Sequence, residues 1–545
     1  MPITEILVGN AELYGDKVCL TEIHPELEEK RELAWKEFAL VETAPGARYR
    51  KELTWRTFDD RANQLAHLLL ELGVKRGDKV GILLMNCIEW LPIYFGVLKS
   101  GAIVVPLNFR YSSAEIKYAL DLADVSVLLF GPEFIDRLGE IKDDMPKVRS
   151  LFFVGDDGPD FARNYESLVE KYPARAPDVR LADEEDAAIY FSSGTTGFPK
   201  AILHSHLSLV TACEVEQRHH GQTRDDIFLC IPPLYHTGAK MHWFGSLLVG
   251  GGAVLLRGVR PKWIIETAAG ERATIVWLLV PWAQDILDAI ESGEINLADH
   301  DLSSWRLMHI GAQPVPPSLI RRWMKHFPRH QYDTNYGLSE SSGPGAVHLG
   351  VENMHKVGAI GRAGHSWRTQ IVDEQGRPVE PGGVGELIVA GDSVMKGYYR
   401  DPEATAAVLK DGWLYTGDMA MEDEDGFIFL VDRKKDVIIT GGENIYPVQI
   451  EDFLRGHDKI KDAAVIGLAE HRLGEIAAAI IEIKPGLACD EDEIRRFCAQ
   501  LPRYKRPQVI FFDSVPRNAT GKIEKPKLRE KYCGGSIVRQ QIEIS

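Results

Sequence analysis

The chain has 545 residues, 45% of them hydrophobic and 26% charged, with a formal charge of −17. That length exceeds what one ordinary core accommodates, so two or more domains are expected. The acidic balance argues against nucleic acid or an anionic membrane as the main partner, because both reward basic surfaces.

The opening stretch "MPITEILVGNAELYGDK" lacks a basic start ahead of an apolar core, so no signal peptide is expected. No apolar run reaches the roughly 18 residues of a membrane span. The seven cysteines are scattered, without a CxxC pair or a His/Cys cluster. They read as reduced thiols of a cytoplasmic protein with no zinc site.

From Thr54 to Gly73, "TWRTFDDRANQLAHLLLELG" places Leu65, Leu68, Leu69 and Leu72 on one helical stripe that closes on glycine. "DKVGILLM" then reads as a buried strand, "IEWLPIYFGVLKSG" as a helix and "AIVVPLN" as a second strand. Strand, helix and strand in that order form a βαβ unit, hence a parallel sheet with both faces covered. The pattern returns in "DIFLCIPP", "GAVLLR" and "ATIVWLLVP". Residues 357–432 change to short β-rich pieces with Gly and Pro turns, which is the texture of a small antiparallel region.

After "DRKKD" a mixed texture begins: "YPVQIEDFLRGH" and "DEDEIRRFCAQ" are helical, while "DAAVIGL", "IAAAIIEIK" and "QVIFFD" are strands. The fold class expected is therefore α/β. It comprises a large N-terminal domain of two βαβ-type parallel-sheet subdomains plus a small β-barrel-like region, and a small mobile α+β C-terminal domain. The boundary divides residues 1–432 from residues 433–545, with a hinge near 433–436.

The densest chemical signal is "SSGTTGFPK" at residues 192–200. The common phosphate loop, GxxxxGK[ST], has its lysine directly after a glycine. Here Gly194 and Gly197 flank Thr195 and Thr196, and two residues separate Gly197 from Lys200. Glycines let several amide N–H groups face one anion. Ser192, Ser193 and the two threonines add hydroxyl donors, and Lys200 adds charge. A flexible Ser/Gly loop has the same residue types but does not require the strand-like approach or the Pro199–Lys200 ending.

Further motifs follow: "PPLYH" at 232–236, "GAQPV" at 311–315, "YGLSE" at 336–340, "YTGD" at 415–418, "DRKKD" at 432–436, "GGENIYP" at 441–447 and "NATGK" at 518–522. Together with the first loop they resemble, in order, the signature motifs of the adenylate-forming superfamily, whose members include AMP-forming acyl-CoA synthetases. The resemblance spans nearly the whole chain. It implies that a carboxylic acid and ATP form an acyl adenylate and pyrophosphate, after which the thiol of coenzyme A displaces AMP. It also implies Mg²⁺.

By this resemblance the loop at 192–200 holds the β- and γ-phosphates and Glu340 coordinates Mg²⁺. Tyr336 stacks on adenine, with Gly311, Ala312, Gln313, Asn335 and Gly337 around the nucleotide. Ser339 keeps a hydroxyl for the α-phosphate where threonine is more usual, and Ala201 replaces a commoner glycine. Asp418 and Arg433 contact the ribose; a carboxylate accepts two hydrogen bonds at once, which suits a vicinal diol. Lys522 is implied as the catalytic lysine, Lys435 as the hinge, and Gly441 and Gly442 as the coenzyme A path.

The acyl pocket is implied at His236, "GAKMHWF" with Trp243, Trp282 and Gly311. Inward-facing tryptophans there favour a medium-chain, aromatic or alicyclic acid, although tryptophan is more often plain core. His236 is implied as the gate of the channel between that pocket and the thiol, with a buried core histidine as the lesser alternative. Loading of a carrier protein in trans is the alternative to coenzyme A. Luciferase-like oxygenation and nucleotide binding without catalysis are the remaining readings. A homo-oligomer is left open.

Overall fold

The computed structural model describes the chain except for residues 27–32, 37–38, 43–48, 193–198, 312–314, 349–350, 441–442, 518–521 and 534–545. Two large sheets organise its N-terminal part. The eight-stranded sheet runs, edge to edge, through Gly397–Tyr398, Lys200–Ser205, Asp186–Ser192, Ile103–Pro106, Lys79–Leu83, Val125–Phe130, Ser150–Phe153 and Arg163–Asn164. The seven-stranded sheet runs through Gln331–Asp333, Leu307–Gly311, Ile275–Leu279, Ile227–Cys230, Gly252–Leu256, Val18–Ile23 and Arg50–Thr54. Neighbours in both are parallel except at edges, where Lys200–Ser205 and Arg50–Thr54 pair antiparallel.

Parallel strands must be covered on both faces, and the helices do this. The helix Trp55–Glu71 starts where the Thr54 side chain accepts a hydrogen bond from the Thr57 N–H at 3.2 Å, a cap worth about 1 kcal/mol. Leu65, Leu68 and Leu69 of the expected stripe are buried, and Gly73 ends the helix in the left-handed region at φ 77°. Against it packs Trp90–Lys99. A Cβ on Gly96 would sit 2.8 Å from Leu65, so the missing side chain lets the two helices approach. These helices share one apolar layer with His206–His220 and Thr237–Leu248, sandwiched between the two sheets. The outer sheet faces carry separate cores.

A five-stranded antiparallel sheet follows, built from Arg368–Val372, Val384–Ala390, Trp413–Glu422, Leu409–Lys410 and Ile428–Arg433. The last part is α+β. Its five strands include the long pair Ile460–Glu470 and Gly474–Ile483, covered by Pro447–Arg455 and Glu491–Cys498 on one face and Lys525–Cys533 on the other. The α/β class expected from the sequence is the observed one.

What matters for chemistry is where the parallel strands end. The strand Ile227–Cys230 leads to His236, Leu307–Gly311 ends on Gly311, and Gln331–Asp333 leads to Asn335. All three sit at carboxyl ends of one parallel sheet, the edge at which α/β folds gather ligands.

Candidate active site

The strands Asp186–Ser192 and Lys200–Ser205, which flank the hydroxyl-rich segment, pair antiparallel with Ser192 opposite Lys200. The described element that follows the segment is the strand Lys200–Ser205, where the common phosphate loop is followed by a helix. Ser193, Gly194, Thr195, Thr196 and Gly197 lie outside the described residues, as do Ala312, Gln313, Gly441 and Gly442.

Lys200 places its ammonium 4.5 Å from the centre of the Tyr398 ring. Tyr398 enters because Gly397–Tyr398 adds antiparallel to Lys200–Ser205, with Tyr398 opposite Ile202. Its hydroxyl donates to Glu340 Oε1 at 3.0 Å. Burial, then the Glu340 charge, pushes its phenol above the ordinary tyrosine value. Glu340 lies in the short turn Ser339–Ser341, pinned from two directions. The Met395 N–H donates to its carbonyl at 2.7 Å. The buried His204 ring bonds the Ser339 carbonyl through Nε2 at 2.7 Å and the Ser342 hydroxyl through Nδ1 at 2.9 Å. A carbonyl only accepts, so Nε2 carries the proton and Nδ1 accepts from Ser342. Burial holds this ring down at about 4, so it stays neutral.

On the nucleotide side, the Tyr336 hydroxyl donates to Asp418 Oδ2 at 2.5 Å, and Arg433 Nε meets Asp418 Oδ1 at 2.5 Å. Register explains the second contact: Asp418 and Arg433 face each other across neighbouring strands. Burial and then Asp418 raise the Tyr336 phenol well above its ordinary value, while Asp418 does most to raise Arg433. Asn335 begins the strand Asn335–Leu338, which carries Gly337, and its side-chain amide donates to Glu216 at 2.5 Å.

Trp243 is fully buried in the core between the sheets, its ring 5.0 Å from Phe244. Trp282 is half-buried against the core on the outer face of the seven-stranded sheet. The indole beside Gly238 and Gly311 is that of Trp277. A Cβ on Gly238 would sit 3.3 Å from His236 Nδ1 and 3.4 Å from Trp277, and one on Gly311 would sit 4.0 Å from Trp277 Nε1. In "ATIVWLLVP" every residue from Ile275 to Val280 is apolar, so periodicity gave no way to pick out position 277. His236 occupies the N-terminal boundary of Thr237–Leu248. Beneath it, the buried Lys240 donates to the Leu234 carbonyl at 3.2 Å and the His236 carbonyl at 3.4 Å, with the Tyr190 ring at 4.3 Å. Burial holds that amine well below the ordinary lysine value.

Lys522 is exposed, yet the charges of Arg433, Asp418 and Glu340 reach its ammonium. The surrounding protein withdraws enough water to lower its ammonium, Arg433 adds to that, and Asp418 and Glu340 oppose it. Lys435 follows Arg433 on an exposed turn, where the Asp436 N–H donates to the Arg433 carbonyl at 2.8 Å. Just before it, the buried Asp432 accepts from the Val448 N–H at 2.9 Å, so a residue of the β sheet caps the helix Pro447–Arg455. Burial raises that carboxyl to about 6 despite Lys525 nearby. The described structure thus gathers Lys200, Glu340, Tyr336, Asp418, Arg433 and Lys522, and separately His236, Gly311 and Trp277.

The model of the AMP-binding enzyme family matches residues 34–399, and that of the AMP-binding enzyme C-terminal domain matches residues 449–522. Feruloyl-CoA synthase of Amycolatopsis sp is 32% identical over 478 residues, covering 87% of this chain and 92% of that protein. The long-chain-fatty-acid–CoA ligase FadD13 of Mycobacterium tuberculosis is 31% identical over 489 residues, covering 86% and 91%. The solved anthranilate CoA ligase AuaEII, in complex with anthranoyl-AMP, agrees in fold with a TM-score of 0.85 over 97% of each chain at 24% identity. Adenylate-forming CoA ligases use ATP and coenzyme A. The chain belongs to the AMP-binding enzyme family of the adenylate-forming superfamily, and is an AMP-forming acyl-CoA synthetase, an acid–thiol ligase.

Proposed function

We propose that the protein activates a compact carboxylic acid, medium-chain, aromatic or alicyclic, with ATP and passes the acyl group to coenzyme A. The observation that carries this reading is the junction at which Tyr336 and Arg433 both meet Asp418 at 2.5 Å, with the charges of Arg433, Asp418 and Glu340 acting on the Lys522 ammonium. A carboxylate has no leaving group of its own. Its oxygen attacks the α-phosphorus of ATP, and pyrophosphate departs with the electron pair of the broken P–O bond. The thiol then attacks the acyl carbon, and AMP leaves.

Bringing two anions together requires cations where charge builds. In this reading Lys200 and the hydroxyls of its loop bind the β- and γ-phosphates, and Ser339 meets the α-phosphate. Lys522 bridges the attacking carboxylate and the α-phosphate. Tyr336 packs on adenine, within reach of Asn335, Gly337 and Gly311, while Asp418 and Arg433 hold the ribose. Glu340 suits Mg²⁺, since it is a hard oxygen donor whose Oε1 is oriented by Tyr398; an ion held there would supply charge to neutralise phosphate oxygens.

Residues 1–432 form the acid- and nucleotide-binding domain, and residues 433–545 a lid that turns about Lys435 between the two steps. That turn withdraws Lys522 and brings Gly441 and Gly442 to the thiol path. His236 stands between the acyl site and that path. The two named relatives act on acids of opposite shape, one feruloyl and one long-chain fatty. What favours a compact acid is Trp277, whose indole stands across from Gly238 and Gly311.

The test is AMP release with coenzyme A across acetate, butyrate, hexanoate, octanoate, benzoate, cyclohexane carboxylate and palmitate. Preference for one of the middle five supports the reading, and preference for palmitate or acetate contradicts the compact-acid part. Replacing coenzyme A by a phosphopantetheinyl carrier protein distinguishes the thiol acceptor.

A further inference from the structure

Behind the wall shared by the acid and the nucleotide lies a group of four ionisable side chains that no step above uses. Trp277, His309 and Asp333 are register partners across three neighbouring parallel strands, so they stand in one row. The helix His206–His220 lies over that row and contributes Glu216 and His220, one turn apart. His220 Nε2 meets Asp333 Oδ2 at 2.7 Å, and His220 Nδ1 meets Glu216 Oε2 at 3.0 Å. His309 Nδ1 lies 3.4 Å from the same Asp333 oxygen. All four side chains are completely buried.

Charges removed from water in this way are tolerated only when paired with close geometry. Both ring nitrogens of His220 face carboxylates: Nε2 hydrogen-bonds Asp333, and Nδ1 meets Glu216 at ion-pair distance without hydrogen-bond alignment. Burial opposes its charge, but the two carboxylates outweigh burial and raise it; in return His220 and His309 hold Asp333 low.

The group has two outputs. Glu216 accepts the Asn335 side-chain amide at 2.5 Å, and Asn335 is followed directly by Tyr336. His309 packs its ring against Trp277 at 5.7 Å. A Cβ on Gly311 would sit 4.0 Å from both the Asn335 carbonyl and Trp277 Nε1, so both outputs end at one spot.

We propose that Glu216, His220, Asp333 and His309 form a positioning network for adenylation, holding Asn335 from the nucleotide side and Trp277 from the acid side. The network touches neither substrate; it fixes the two groups that do. The proposal rests on the reading of Asn335 and Tyr336 as nucleotide contacts and of Trp277 as the acid wall.

The test uses the full chain with Asp333→Asn and His220→Gln, which keep volume but break the charge pairing. Calorimetric affinity for a non-hydrolysable ATP analogue, the KM for the acid and the unfolding temperature are measured together. The network predicts that both affinities weaken by about tenfold or more, since small displacements of positioning groups are expensive. A purely structural role lowers the unfolding temperature and leaves both affinities within about twofold, which overturns the proposal.

If those variants do not fold, Glu216→Gln serves, because its amide oxygen can still accept from Asn335 while the charge on His220's flank is lost. Weakened ATP-analogue binding supports the network, and unchanged binding overturns it. One equivalent of zinc in the purified wild type would also overturn it, because the metal would take the nitrogen lone pairs. A wild type that binds no ATP analogue refutes the nucleotide-site reading instead, and so is told apart from failure of the network.

Discussion

The Tyr398 hydroxyl donates to Glu340 at 3.0 Å while the Lys200 ammonium rests 4.5 Å from the centre of the same ring. One tyrosine therefore ties the strand that begins at Lys200 to the carboxylate proposed for Mg²⁺. Tyr398→Phe keeps the ring and removes the hydrogen bond. A hydrogen bond to a charged group is worth about 1.5–3 kcal/mol, and this one is part-buried, so the lower end applies. The expected result is a roughly tenfold fall in kcat/KM for ATP, with a raised Mg²⁺ requirement. Wild-type values in both would show that the contact is incidental.

Lys522→Ala removes a cation at the point where two anions meet. Adenylation is expected to slow by about 10²–10³. Thiolation of a pre-made acyl adenylate should largely persist, since that step uses the other lid orientation. Lys435→Pro stiffens the turn and should reduce whichever step needs the rotated lid. Single-turnover assays of each half-reaction decide this, and equal loss of both steps in Lys522→Ala would contradict lid alternation.

Two tryptophans separate specificity from stability. Trp277→Leu should shift the preferred acid toward longer chains in the acid panel, because the indole beside Gly238 and Gly311 is shortened. Trp243→Ala empties a core site and should cost about 3–5 kcal/mol of stability without changing the preference. The opposite pattern would return the wall to Trp243.

Stability should depend on acid through neutral buried histidines. His204, His206 and His330 are all pushed from 6.5 down to about 4 by burial. Unfolding below pH 6.5 therefore takes up protons that the folded chain refuses, so their stabilising contribution is full above 6.5 and is lost as pH falls towards 4. His330 packs against Trp305 and Phe327, each at 4.7 Å. His330→Phe is expected to reduce the slope of unfolding free energy against pH in that window by up to about 1.4 kcal/mol per pH unit. Denaturant unfolding across the window measures it, and an unaltered slope would rule the ring out.

Much of this architecture was legible in the sequence because its signals are local. The leucine stripe at 65–72 and the apolar runs at 79–83 and 275–279 announce a helix and buried strands through period alone. The motif residues Glu340, Asp418, Arg433 and Lys522 declared themselves through their neighbours in the chain. Tyr398, His204 and Trp277 did not. Tyr398 arrives by an edge strand added from almost 200 residues downstream of Lys200, and His204 acts through a backbone carbonyl far along the chain. Trp277 sits in an unbroken apolar run, where facing is decided by sheet packing. Trp243 lies on "TGAKMHWFGSLL", a helix whose apolar residues form no single stripe, so the chain alone does not say that its indole meets the core.

The central claim is that Lys522 and the Lys200–Glu340 cluster let a carboxylate attack the α-phosphorus of ATP. Exchange of labelled pyrophosphate into ATP, with Mg²⁺ and a broad panel of carboxylic acids, tests it most directly because it requires no thiol. The account predicts exchange that depends on at least one compact acid and collapses in Lys522→Ala. Absence of exchange with every acid, from folded protein that still binds ATP, would contradict it.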